Sequence, residues 1–157
     1  MKVLFIYPNM YSPIAHSPAL QAISAVLKSE GHQAGVVHIN DVHAVPDNDE
    51  IILQKANDFK PDIIGFTSTS FEFKRSNQIA GYLKNNGIKV PIILGGVHST
   101  IAPHEFDGSN FDAFVVGDGE IVFSEIAQGK LEPKGIIAGK PVDDINDLPM
   151  ADWDLLD

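Results

Sequence analysis

The sequence predicts an α/β fold, a doubly wound five-stranded parallel sheet. Three features predict it. Short, continuous apolar runs rich in β-branched residues recur along the chain, as strands buried on both faces require. Segments with helical spacing alternate with them, the pattern of a parallel sheet with helices on both faces. The runs end in small, polar, Gly-rich segments, which places those segments together at one edge of such a sheet.

The elements follow in order. The run KVLFIY (residues 2–7) reads as the first strand, and the Pro-punctuated segment after it as a loop. In ALQAISAVLKSEGH (19–32), Leu20, Ile23, Val26 and Leu27 share one helical face and Gly31 supplies a stop. AGVVHIN (34–40) is the second strand, and NDEIILQKANDFKPD contains a short helix ended before Pro61. DIIGFTSTS (62–70) is the third strand with a polar end, and FEFKRSNQIAGYLKNNG (71–87) the third helix. VPIILGG (90–96) is the fourth strand, leading into a short Pro-containing helix or turn at 98–106. FDAFVVGDGE (111–120) is the fifth strand, ending at Gly117, and EIVFSEIAQG (120–129) the fifth helix. Right-handed crossovers then favour the strand order 2-1-3-4-5, a flavodoxin-like, Rossmann-like sheet.

The remainder differs in composition. Residues 1–130 read as the α/β domain and 131–157 as a Pro-, Asp- and Gly-rich tail. KGIIAGKPV (134–142) is expected to form a small hairpin. DDINDLPMADWDLLD (143–157) is expected to be a linker with apolar anchors at Ile145, Leu148, Met150, Trp153, Leu155 and Leu156. A linker implies that the chain is the front part of a longer protein.

Composition narrows the function. The 157 residues suit one domain, and 44% apolar content suffices for a core. The formal net charge of −10 argues against nucleic acid or an anionic membrane as partner. The lone arginine, Arg75, leaves little for bidentate clamping of a phosphate or carboxylate. With no Cys, this chain has no disulfide, thiolate metal site, iron–sulfur ligand or Cys nucleophile. No apolar run reaches the roughly 18 residues of a membrane span, and the start lacks the features of a signal peptide. A soluble cytoplasmic domain is the expectation.

Ligands of open parallel sheets bind at the carboxyl ends of the strands, near the point where strand order reverses. The sequence places Tyr11, Ser12 and His16 after the first strand, and Thr67, Ser68, Thr69 and Ser70 after the third. Gly95, Gly96, Val97, His98, Ser99 and Thr100 follow the fourth, and Gly117, Asp118, Gly119 and Glu120 the fifth. Such a set suits a large ligand that needs close approach to bare backbone. Each piece also has a plainer reading. Gly95-Gly96 can be a turn, STS a helix cap, GDGE a turn and helix start, and His98 a hydrogen-bonded surface side chain. The chain has no GxxxxGK[ST] loop, and no GxGxxG follows the first strand. Pro8 and Asn9 stand where a phosphorylated receiver would carry acidic residues, and the first loop lacks a flavodoxin's tight hydroxyl spacing.

Taken together these residues resemble the N-terminal cobalamin-binding domain of cobalamin-dependent radical S-adenosylmethionine enzymes. Ser68, Ser70, Gly95 and Gly96 match the S-x-[ST]…GG spacing, LGGVHST the GG-x-H-[AS]-T segment, and FDAFVVGDGE the D-x-V-V-x-G-E-G-E element through Asp112, Gly117, Gly119 and Glu120. DLPMADWDLLD resembles the lead into a radical barrel. The resemblance implies cobalamin as cofactor, with its nucleotide tail beside the third and fourth strands. Gly95 and Gly96 would make space for the tail, with His98, Ser99 and Thr100 at the rim. For the whole enzyme it implies a radical barrel in the same polypeptide with a [4Fe-4S] cluster and S-adenosylmethionine, in methyl transfer or a related radical reaction. The chain by itself is read as a binding module without turnover. Other family branches use a D-x-H-x-x-G motif whose His binds cobalt from below. His16 stands near that place as a candidate cobalt ligand, but Ile14 replaces the Asp and Ala19 the Gly, which favours a plain loop His. DVHAVP (41–46) looks like the motif but follows the wrong strand. The alternative is a degenerate flavodoxin-like module without cofactor that serves in docking, or a flavin or signalling domain.

Overall fold

A computed structural model describes residues 1–10, 16–40 and 44–156. Six parallel strands form one sheet: β1 (Lys2–Pro8), β2 (Gln33–Ile39), β3 (Ile63–Thr67), β4 (Ile92–Gly95), β5 (Ala113–Val116) and β6 (Gly135–Ala138), in the order β2-β1-β3-β4-β5-β6. Between them run α1 (Pro18–Ser29), α2 (Asp49–Phe59), α3 (Ser70–Asn85), α4 (Val97–Ile101) and α5 (Glu120–Ala127). The order 2-1-3-4-5 holds as the sequence predicts, with one strand added at the edge.

That strand corrects the hairpin expected at 134–142. Residues 135–138 run parallel to β5, in register from Ala113–Gly135 to Val116–Ala138. Half-exposed and exposed residues alternate along β6, as on an edge strand, and Ile137 packs on the core while Ile136 is exposed. The sheet therefore extends past residue 130. A smaller correction concerns STS: Thr67 ends β3, Thr69 is the N-cap, and Ser70 opens α3.

Strand alternation divides the core in two. Leu4, Ile6, Ile64, Ile92, Leu94 and Phe114 face α2 and α3. Val3, Phe5, Ile63, Ile93 and Val115 face α1 and α5, where Leu20, Ile23, Leu27 and Phe123 meet them. Local signals set the helix ends. Pro18 begins α1 at a position where its missing N–H costs nothing. The Asn48 side chain accepts from the backbone N–H groups of Glu50 and Ile51 at 2.9 and 3.1 Å to start α2. No described helix is long and apolar enough to cross a membrane.

The tail folds back on the domain. Its last described turn, Trp153–Leu156, lies against β2 and α1 and buries Leu155 in the α1-side core. Leu155 is thus an anchor as expected. Ile145 and Met150 are 78% and 85% exposed and do not anchor. Asp152 fastens the tail: its Oδ2 accepts from Ser24 Oγ at 2.5 Å and pairs with Lys28 Nζ at 2.6 Å, and its N–H donates to the Gln21 carbonyl at 3.1 Å. Burial works against the charge of Asp152, but the hydrogen bonds from Lys28 and Ser24 and the Lys28 charge outweigh it and hold its pKa below the usual value. A carboxyl with a depressed folded-state pKa stabilises above its unfolded-state value and stops doing so as pH falls through the folded one. Asp152→Asn is therefore expected to cost about 2 kcal/mol at neutral pH and nothing in strong acid. Thermal melts of both proteins from pH 7 to pH 2.5 check this, as converging curves.

Candidate functional site

On the α1/α5 side, the carboxyl end of the sheet opens into a slot of about 110 Å³. Its floor is the sheet edge, with Thr67, Gly95, Gly96, Val115 and Gly117. Ala19, Leu20 and Ile23 of α1 form one wall. Gly119, Glu120 and Phe123 at the start of α5 form the other, with Phe5 and Phe66 below and Asp118 at the mouth. The interior is apolar and the rim polar, the usual make-up of a site that buries a flat organic group and orients it by a few contacts.

The two adjacent glycines differ in why they are glycine. Gly96 has φ +95°, and an added Cβ would stand 2.7 Å from Thr67 Oγ1 and 3.0 and 3.1 Å from the backbone N and O of Ser68. The chain itself demands glycine there. Gly95 is under no such demand. Its φ is ordinary and its imagined Cβ meets only the Phe66 carbonyl, at 3.7 Å. In β4, Ile92 and Leu94 face α3 while Ile93 faces α1, so alternation turns position 95 toward the slot. A side chain there would fill the slot, and its absence leaves the slot open.

The other expected site residues divide by location. Thr67, Gly117, Gly119 and Glu120 join Gly95 and Gly96 in lining the slot. Thr69, Ser70, Val97 and Thr100 are exposed at the same sheet edge, as is His16. Tyr11 and Ser12 lie outside the described residues, as do residues 41–43 of the 41–46 segment. Ser68, His98 and Ser99 are buried. His98 is 4% exposed on the α3 side, stacked on Phe73 with ring centroids 3.8 Å apart, and does not line the slot. Its Nδ1 lies 3.2 Å from Ser70 Oγ and its N–H donates to the Ser68 carbonyl at 3.0 Å. Its Nε2 has no hydrogen-bond partner among the described residues; Glu105 Oε2 is 3.7 Å away. Burial pushes the His98 pKa down, Glu105 opposes this and His104 adds to it.

The hydroxyls mostly stitch loops together. Ser99 Oγ donates to the Val115 carbonyl at 2.7 Å, tying α4 to β5. Thr100 Oγ1 accepts from the Gly117 N–H and donates to the Gly96 carbonyl, both at 3.0 Å. The Thr69 N–H and Oγ1 both donate to Glu72 Oε2, at 3.2 and 2.7 Å, closing the start of α3. Their joint effect is to hold the loops after β3, β4 and β5 as one rigid edge. His16 stands apart. Its carbonyl accepts from Tyr7 Oη at 3.1 Å, and its ring meets Trp153 edge-on at 5.5 Å.

Sequence reasoning missed the walls. Phe5, Leu20, Ile23 and Phe123 belong to the core layer within which the slot opens, and an exposed Ala19 at its rim carries no signal. It also missed Gly139, which donates to the Val116 carbonyl at 2.7 Å and has no room for a Cβ against Asp118. That contact braces the loop at the slot mouth from β6, the strand the sequence had not predicted.

A model of the B12 binding domain family matches residues 11–127. The uncharacterized methyltransferase PH0819 of Pyrococcus horikoshii is 26% identical over 188 residues, covering 99% of this chain and 39% of its own length. The anaerobic magnesium-protoporphyrin IX monomethyl ester cyclase of Rubrivivax gelatinosus is 30% identical over 132 residues, covering 78% of this chain and 23% of its own. The chain thus spans well under half of the curated relatives it matches. Among solved structures, the cobalamin-dependent S-adenosylmethionine radical enzyme OxsB, with aqua-cobalamin and S-adenosylmethionine bound, superposes with a TM-score of 0.73 at 17% identity, over 99% of this chain and 24% of that one.

The slot fits the group this family is named for. A cobalamin tail ends in a flat aromatic base on a polar, phosphate-bearing chain. Apolar walls suit the base, a missing side chain at Gly95 gives it room, and Thr67 lines the same slot.

Proposed function

Since the chain belongs to the B12-binding domain family, we propose that it holds cobalamin with the nucleotide tail in the α1/α5 slot and the corrin over the carboxyl edge of the sheet, as one module of a longer radical S-adenosylmethionine enzyme. Gly95 carries the reading: a glycine that its own chain does not require, facing a slot that any side chain would fill. In this arrangement Leu20, Ile23 and Phe123 exclude water from the tail base, and Thr67 orients its polar end. Phe71 and Val97, 88% and 59% exposed at the starts of α3 and α4, offer apolar surface to the ring above. When bound, cobalamin supplies cobalt-centred chemistry, methyl carriage among it. The substrate, the [4Fe-4S] cluster and S-adenosylmethionine belong to a barrel outside this chain, which has no Cys to ligate a cluster.

His16 is assigned no ligand role. No Asp stands two residues before it, and its ring packs against Trp153. Mixing the chain with hydroxocobalamin, removing the excess by gel filtration and recording the visible spectrum tests both points. Stoichiometric retention is expected, with a spectrum unchanged in His16→Ala. A His-ligated spectrum lost in that variant would overturn the ligand assignment. Absence of retention at micromolar concentration would overturn the binding function of this chain.

A further inference from the structure

We propose that residues 149–156 form a strap that sets how far the slot can open, with Asp152 as its positioning residue; the inference rests on the cobalamin reading above. Helix α1 is the slot's wall on the strap side. Its first turns carry Ala19, Leu20 and Ile23 along the slot. On one flank it packs on α5, with no slack: a Cβ on Gly119 would come within 3.0 Å of Ile23 Cδ1. On the other flank lies the strap's last turn, Trp153–Leu156, resting on β2 and α1. Widening the gap between α1 and α5 therefore pushes α1 into the strap.

The strap is fastened along one stripe of α1. Gln21, Ser24 and Lys28 recur at helical spacing, and Asp152 engages all three through its N–H and its carboxylate. Such a stripe of polar residues would ordinarily face water, yet Gln21 and Ser24 are 1% and 0% exposed. Leu155 seats the strap in the core beside them. A second, independent observation shows that the closed position is not fully satisfied. Gln21 Nε2 is buried with no hydrogen-bond partner among the described residues. A buried unpaired donor disfavours the closed arrangement, and loosening the strap returns it to water. The strap is thus held by Asp152 against a built-in tendency to open, the arrangement expected of a gate. Trp153, the chain's sole tryptophan, reports its position through the edge-on contact with His16.

The test measures hydroxocobalamin dissociation by competition, and Trp153 fluorescence without cofactor, in the full chain and in Asp152→Ala, Ser24→Ala and Met150→Ala. Met150 sits on the strap, 85% exposed, and serves as control. Asp152→Ala is expected to speed dissociation roughly tenfold and shift the fluorescence, Ser24→Ala to do so less, and Met150→Ala to leave both unchanged. Should Asp152→Ala fail to fold, Ser24→Ala decides. Dissociation unaltered in the folded variants, with the unmodified chain binding normally, overturns the strap and leaves the binding function standing. No binding by the unmodified chain overturns both.

Discussion

Gly95→Val is expected to weaken cobalamin binding strongly while leaving the fold intact. Valine suits the backbone of a strand, and the position has an ordinary φ and no neighbour closer than 3.7 Å to the new Cβ. Melting should stay within about 1 kcal/mol of the unmodified chain. The two γ-methyl groups, however, project into the slot between α1 and α5, where a bound base would lie. Overpacking of this kind costs about 3 kcal/mol, roughly a hundredfold in affinity. Equilibrium dialysis with hydroxocobalamin, beside a thermal melt, separates the two effects. A variant that binds as well as the unmodified chain would place the cofactor elsewhere.

Gly96→Ala is expected to do the reverse, by acting first on stability. The new methyl meets Thr67 Oγ1 and the Ser68 backbone, and the left-handed φ adds strain. The Ser68 backbone cannot retreat freely, because its N–H donates to the Gly95 carbonyl and its carbonyl accepts from His98. A loss of about 3 kcal/mol lowers the melting temperature of a chain this size by roughly 6–12 °C. Calorimetry measures it. An unchanged melting temperature would show that the loop after β4 relaxes without cost, and would remove the distinction between the two glycines.

That distinction was invisible in the sequence, where Gly95 and Gly96 are one motif. The five central strands were legible because a strand buried on both faces leaves a continuous apolar run that little else produces. β6 was not, because an edge strand needs only one packed face, and IIAG between glycines and lysines carries too little pattern. The edge that forms the site was legible, since every parallel strand delivers its end to it. Which hydroxyls face a ligand was not. Ser68, Ser99 and Thr100 bond to backbone carbonyls instead, two of them local, Thr69 and Gly96, and one, Val115, brought near only by folding. His98 followed the same logic: a polar residue in a motif reads as a ligand contact, and only the packing of Phe73 shows it stacked in the core. Nor does a tail rich in Asp and Pro announce that Asp152 will close on α1.

The most direct test of the account is a titration of the ¹⁵N-labelled 17.0 kDa chain with hydroxocobalamin, followed by amide NMR shifts. The slot predicts saturable changes at Thr67, Gly95, Gly96 and Gly117, and at Ala19 and Leu20 on the facing wall. Shifts gathered instead at the opposite sheet edge, around Lys89 and Gly135, or no shift at all, would contradict it.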